Sequence, residues 1–286
     1  MRNMWMKGSI FHILYMKVNK IYCIYFSPTG NTKKAVETIG QTLKKNLQVE
    51  MECVDITTLS VRKKQYQFTA DDLIILGVPT YAGRIPNKIV QEIKTNFIGN
   101  QTPIVYVVTY GNRNYDSALN ECVSIGLENS MYPIAACTLA CEHAFTEKLA
   151  SHRPDSEDIV QMQAFSNKLA QKLEAYTVEK EEINLVVNPY YIPLKQDGSP
   201  AKFLKAKPKT NMELCTNCKQ CVSVCPMNSI DAEDVSQVNG ICIKCQACVQ
   251  VCKEHAKYFD DEEFLSHVAM LESTYSKRKE NQFWMR

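Results

Sequence analysis

Eight of the 13 cysteines in this 286-residue chain fall between Cys215 and Cys252. Cys215, Cys218, Cys221 and Cys225 follow the spacing C-x2-C-x2-C-x3-C and precede Pro226; Cys242, Cys245, Cys248 and Cys252 repeat it 27 residues later. Three closely spaced thiolates let a short loop wrap three corners of an iron–sulfur cubane, while the fourth corner is approached from another direction. Two other chemistries compete. Zinc sites generally use two separated ligand pairs, so a triple run leaves a thiolate unused. A disulfide framework requires an oxidising compartment, and no convincing secretory signal is present. The cluster reading outranks both.

The segment from about Asn211 to Ala256 resembles the bacterial 2[4Fe–4S] ferredoxins, in which the fourth cysteine of each run binds the other cluster. That resemblance implies one cluster on Cys215, Cys218, Cys221 and Cys252, and a second on Cys242, Cys245, Cys248 and Cys225. One departure is visible: Lys253 stands where the second run would usually have a proline, which bears on backbone rigidity or potential rather than ligation. The other cysteines, Cys23, Cys53, Cys122, Cys137 and Cys141, are scattered and read as packing residues.

A second chemistry is written near the N-terminus. Ser27-Pro28-Thr29-Gly30-Asn31-Thr32 joins an apolar run to a helical pattern, placing backbone N–H groups and hydroxyls where the helix dipole favours an anion. The loop lacks the Gly-Lys-Ser/Thr of a triphosphate loop and the G-x-G-x-x-G of a dinucleotide site, which points to a single terminal phosphate; a plain helix cap is the competing reading. Two further strands end in Gly77-Val78-Pro79-Thr80-Tyr81-Ala82-Gly83-Arg84 and Thr109-Tyr110-Gly111-Asn112-Arg113-Asn114-Tyr115-Asp116. Glycines there permit close approach to a flat ring, and tyrosines offer a stacking face.

These loops resemble those of the flavodoxins, and the resemblance implies FMN. The implied phosphate loop is Ser27, Thr29, Gly30, Asn31 and Thr32. The ring loops are Pro79, Thr80, Tyr81, Ala82 and Gly83, and Thr109, Tyr110, Gly111, Asn112, Tyr115 and Asp116. Tyr81, Tyr110 and Tyr115 either stack on the ring or pack under a neighbouring helix. Arg84 and Arg113 face flavin, the second domain or solvent. Glu142 and His143 follow the fifth strand and either approach the flavin from the side or are simply exposed; the pair stays outside the set.

The elements that position these loops are legible as strands at Ile21–Phe26, roughly Gln48–Val54, Leu73–Val78, Ile104–Thr109 and Tyr132–Thr138, each a near-continuous apolar or β-branched run. Helical patterns fill the gaps at Asn31–Leu47, Pro86–Asn96, Asp116–Glu128 and about Asp155 to Tyr176. The expected class is α/β: a flavodoxin-like, doubly wound five-stranded parallel sheet, followed by a small α+β 2[4Fe–4S] ferredoxin-like domain. The expected division is an N-terminal extension at 1–17, the flavin domain at 18–176, a proline-punctuated linker or packed arm at 177–209, the cluster domain at 210–258, and an amphipathic helix with a fraying tail at 259–286. The apolar run Ile10–Met16 is too short to span a bilayer.

A net charge of +2, from 33 basic and 31 acidic residues, gives no electrostatic case for nucleic acid or an anionic membrane. From about residue 18 to 256 the chain resembles fused flavodoxin–ferredoxin proteins, the EFR1-type ferredoxin family, on the strength of the two cysteine runs and the Thr109–Asp116 string. The family implies FMN, two [4Fe–4S] clusters, a cytoplasmic setting, a protein redox partner and low-potential electron transfer. No triad, paired-carboxylate site or nicotinamide fingerprint is apparent, which favours a carrier over an enzyme. The alternatives are a flavin/iron–sulfur oxidoreductase acting on a small acceptor such as a quinone, and a zinc-binding interaction module.

Overall fold

The computed structural model describes residues 17–173 and 185–286; the apolar run Ile10–Met16 and the end of the fourth predicted helix lie outside them. Five strands run parallel: β1 Lys20–Tyr25, β2 Glu50–Asp55, β3 Asp72–Pro79, β4 Thr102–Tyr110 and β5 Met131–Ala140. A sixth, β6 Gln282–Met285, pairs antiparallel with β5, giving the order β6-β5-β4-β3-β1-β2. The parallel part has the flavodoxin-like 2-1-3-4-5 order, whose ligand crevice opens at the carboxyl ends of the strands where the order reverses.

Period-two alternation feeds two cores. Ile21, Cys23 and Tyr25 of β1 and Val105 and Val107 of β4 face one, under helices α1 Asn31–Leu47 and α4 Ser156–Leu173. Ile24, Ile104, Tyr106 and Val108 face the other, under α2 Val90–Asn96 and α3 Ala118–Glu128. Both faces are dry, which explains the near-continuous apolar strands. Four of the scattered cysteines are buried as expected, but Cys53 is exposed, because β2 is the sheet's outer strand.

The tail does not fray. Phe283 and Met285 pack against the first core while Trp284 faces outward, and Asn112 Nδ2 donates to Tyr275 O (2.6 Å) and Lys277 O (2.9 Å). Arg153 Nη1 donates to Lys279 O (2.7 Å), and Asn281 Nδ2 to Asp158 Oδ1 (2.8 Å). The sequence-based tail therefore becomes an edge strand that covers β5.

The cysteine-rich segment is closed by a short antiparallel pair, Lys209–Thr210 against Lys257–Tyr258. Its 27-residue repeat is structural as well as chemical. Short helices occupy Gln220–Ser223 and Ala247–Gln250, and positive φ recurs at Asn217 and Lys244, Lys219 and Gln246, Asn228 and His255. Non-glycine residues adopt that conformation at a cost, so its repetition marks a loop shape imposed by what the loops must surround.

Between the sheet and this segment runs the arm from 185 to 208. Helix α5 Glu262–Thr274, capped by Asp261, packs Phe264 against Phe203 of the arm and Phe145 of the loop after β5. Sheet, arm and cysteine segment are thereby bound through one aromatic cluster.

Candidate functional site

The carboxyl ends of β1, β3 and β4 deliver their loops to one cavity of about 600 Å³. It is lined by Ser27, Thr29, Asn31 and Thr32, by Pro79 to Gly83, and by Thr109, Tyr110 and Gly111. At the first loop, Gly30 caps α1 with φ 89°, Ser27 Oγ accepts from Lys33 N (2.9 Å), and Ser27 N donates to Thr57 Oγ1 (2.7 Å). The N–H groups of Thr29, Asn31 and Thr32 have no protein acceptor among the described residues. Thr80 Oγ1 is likewise buried without a hydrogen-bond partner. Free donors at a helix start and an orphaned hydroxyl suit a polar, anionic ligand, so the residues fit a flavin phosphate ester.

Three predicted ring contacts are engaged elsewhere. Asn112 is wholly buried and holds the C-terminal tail. Tyr115 donates to Gln282 Oε1 (2.8 Å), and Asp116 pairs with Arg113 and fills the space beside Gly83. None of the three lines the cavity: Asn112 and Tyr115 bond the tail, and Asp116 bonds within its own loop.

Conversely, several lining residues lie outside the predicted set. Glu142 and His143 both line the cavity. His143 Nδ1 accepts from Phe145 N (3.1 Å), and its ring lies so close to Gly111 that a side chain there would collide. Burial, helped by His267 and Arg113, pushes the His143 imidazole down to about 4. Tyr190 and Tyr191 of the arm stack on Arg84 and Arg113, with guanidinium carbons 4.8 and 3.9 Å from the ring centroids. Tyr191 N donates to Ala82 O (2.8 Å), and Arg84 Nη1 to Asn188 O (2.9 Å). The doubled tyrosine beside prolines was the available signal.

The fourth wall belongs to the cysteine segment: Ile241, Cys242, Ile243 and Lys244 line the same cavity. Lys244 Nζ donates to Leu204 O (2.9 Å) and Cys242 O (3.3 Å), and burial pushes its ammonium below the usual lysine range. Burial also raises the Tyr81 phenol well above its ordinary value, reinforced by the neighbouring Cys245 and Cys242 thiols.

The eight cysteines divide into two sets. Cys225, Cys242, Cys245 and Cys248 ring a hollow beside the crevice, and Cys215, Cys218, Cys221 and Cys252 ring another, where Lys253 also stands. Each set takes three thiols from one run and the fourth from the other. Backbone donors aim at sulfur: Ser229 N to Cys225 Sγ (3.3 Å), Lys244 N to Cys242 Sγ (3.4 Å) and Ala256 N to Cys252 Sγ (3.3 Å). Burial pushes the Cys221 and Cys248 thiols up, and the buried Lys257 ammonium partly offsets it at both. Among the described residues no group of three or more His, Cys, Asp or Glu could hold a single metal ion. A donor set of four thiols around a hollow, with N–H groups on sulfur, fits a multi-iron cluster.

Residues 196–257 match the family model of the 4Fe-4S dicluster domain. The chain is a flavodoxin-like fold joined to a ferredoxin-like iron–sulfur segment. An archaeal flavodoxin is similar at 16% identity, over 54% of this chain and 99% of that one, with a TM-score of 0.37. A Streptococcus pneumoniae TIGR4 flavodoxin gives 16%, 54%, 99% and 0.39. Rubredoxin oxygen:oxidoreductase from Desulfovibrio gigas gives 18%, 56%, 37% and 0.36. The strand order, rather than these distant likenesses, carries the fold assignment. No curated protein matches the chain. The dicluster match assigns the ferredoxin segment an iron–sulfur redox role, and no helix among the described residues is long and apolar enough to cross a membrane.

Proposed function

We propose that the chain relays electrons between FMN and two [4Fe–4S] clusters at low potential, exchanging them with a protein partner in the cytoplasm. The observation carrying this reading is that Cys242 and Lys244 share one cavity with the phosphate loop, Tyr81 and Gly111. Ser27 to Thr32 would hold the phosphate and residues 79–83 and 109–111 the ring. Cys225, Cys242, Cys245 and Cys248 would hold the nearer cluster, and Cys215, Cys218, Cys221 and Cys252 the farther. FMN supplies a junction between two-electron and one-electron chemistry, while the clusters supply one-electron steps.

The chain's own contribution is partial enclosure and tuning. The arm narrows the crevice with Tyr190 and Tyr191, each stacked on an arginine, while leaving it partly open. N–H groups on sulfur and the buried Lys257 ammonium would stabilise reduced, more negative clusters held there. This narrowing favours a carrier over an oxidoreductase reducing a small acceptor.

Anaerobic purification with assay of iron, acid-labile sulfide and FMN, followed by reductive titration, tests the reading. About eight irons and one FMN per chain, with electrons passing to protein carriers but not to a quinone, are expected. Colourless protein lacking iron and sulfide would overturn it.

A further inference from the structure

Arg62 is the largest side chain in the described residues to be wholly withdrawn from solvent, and it lines none of the cavities described above. It ends the short helical turn Leu59–Arg62 that follows β2. Nη1 donates to Ile56 O (2.8 Å) and Thr57 O (3.0 Å), while Nη2 donates across the domain boundary to Pro226 O (3.0 Å), with Met227 Sδ at 4.0 Å. The guanidinium carbon lies 5.7 Å from the Phe26 ring centroid.

Both ends of this bridge matter. Thr57, whose carbonyl takes Nη1, also offers its Oγ1 to Ser27 N of the phosphate loop. Pro226 immediately follows Cys225, the thiol that crosses over to complete the crevice-side set. One side chain therefore ties the phosphate loop to the crossover cysteine.

The charge is paired at one long contact only. Glu92 Oε1 stands 3.7 Å from Nε, and Nε itself has no hydrogen-bond acceptor. Burying a cation is costly unless it is paired or serves a nearby negative charge. Three carbonyl contacts would not by themselves require a full positive charge; a cluster held by four thiolates beside Cys225 would add a second anion to Glu92.

Resting on the relay reading above, we propose that Arg62 is a positioning residue that sets the crevice-side cluster against the phosphate loop and raises that cluster's reduction potential. The step it favours is addition of one electron from an external one-electron reductant to the oxidised cluster, [4Fe–4S]2+ to [4Fe–4S]+. No bond is made or broken and no proton moves; the cluster gains one negative charge, which a buried guanidinium stabilises.

The test is an EPR-monitored potentiometric titration of holoprotein carrying Arg62→Gln or Glu92→Gln, with both clusters and FMN followed separately. Arg62→Gln is expected to lower the midpoint of one cluster by about tenfold in its reduced-to-oxidised ratio, 59 mV for one electron. Glu92→Gln, which strips the carboxylate paired with Arg62, is expected to shift the same cluster the other way, raising its reduced-to-oxidised ratio several-fold. Arg62→Gln decides where it folds; where it does not, Glu92→Gln decides. Unmoved cluster midpoints, or equal shifts of all three centres, overturn the proposal. Wild-type protein lacking iron, sulfide or FMN would instead sink the relay reading beneath it.

Discussion

Arg113 holds its guanidinium carbon 3.9 Å from the ring centroid of Tyr191, joining the loop after β4 to the arm at the rim of the crevice. Arg84 and Tyr190 repeat the pairing at 4.8 Å. Stacks of this kind contribute about 0.5–2 kcal/mol each. Replacing both tyrosines with alanine is expected to speed flavin release about tenfold or more and to open reduction of a small quinone. Stopped-flow fluorescence measures the first and steady-state turnover the second; unchanged flavin release would remove the arm from its role as a cover.

The two thiol sets divide the eight cysteines by cluster rather than by run. Cys225→Ser and Cys242→Ser are therefore expected to perturb the same EPR signal, and Cys252→Ser the other. Each variant should retain about four irons. Pairing of Cys225→Ser with Cys215→Ser in one spectral signature would contradict crossed ligation.

Asn112 belongs by sequence to a ring loop, yet its side chain serves the tail through Tyr275 O, Lys277 O and Lys279 N. Asn112→Ala should cost about 1–3 kcal/mol, since two carbonyls lose a buried donor. Bound flavin should stay at wild-type stoichiometry while amides of residues 282–285 lose hydrogen-exchange protection. Loss of flavin with the tail still protected would return Asn112 to the crevice.

His143 is held neutral by burial, its pKa lowered to about 4 from the ordinary 6.5. The unfolded chain binds a proton that the folded chain refuses, so this residue's stabilising contribution is complete above 6.5 and is lost as pH falls toward 4. Denaturant unfolding at about pH 7.5 and about pH 5.5 should differ by about 1 kcal/mol from this source. His143→Gln should flatten that slope; an equally steep slope in the variant would assign it to other groups.

Asp158 is buried with Arg153, accepting from Nε (2.9 Å) and Nη2 (2.6 Å), and also receives Asn281 Nδ2 (2.8 Å). Burial opposes ionisation, but these bonds hold its carboxyl below the usual range. Its contribution is present above the unfolded carboxylate pKa and lost as pH falls through the depressed folded value. Asp158→Asn leaves Arg153 unpaired and should cost about 3–5 kcal/mol by thermal or denaturant unfolding. A loss under about 1 kcal/mol would show that the pair is solvated.

Strands β1, β3, β4 and β5 were legible because each is largely buried on both faces and therefore reads as a near-continuous apolar run, whereas β2, at the sheet's outer edge, is mostly exposed. β6 was not legible: an edge strand needs only one dry face, here Phe283 and Met285, and its partner Ala135–Thr138 lies far back in sequence. The glycine and hydroxyl loops announced a crevice, but their spelling did not separate Tyr110, which lines it, from Asn112, which turns to the tail. His143, Tyr191, His267 and Lys244 come from four distant segments, so tertiary packing alone brings them together.

The ferredoxin segment lies in sequence between β5 and β6, two neighbours in a single sheet. All eight cysteines of the two runs are therefore synthesised before the last strand. Until Gln282–Met285 emerges, the outer edge of β5 stays open and the knot around Asp158 lacks Asn281. A chain stalled before Asn281 would thus carry every one of these cysteines yet expose a strand edge open to aggregation.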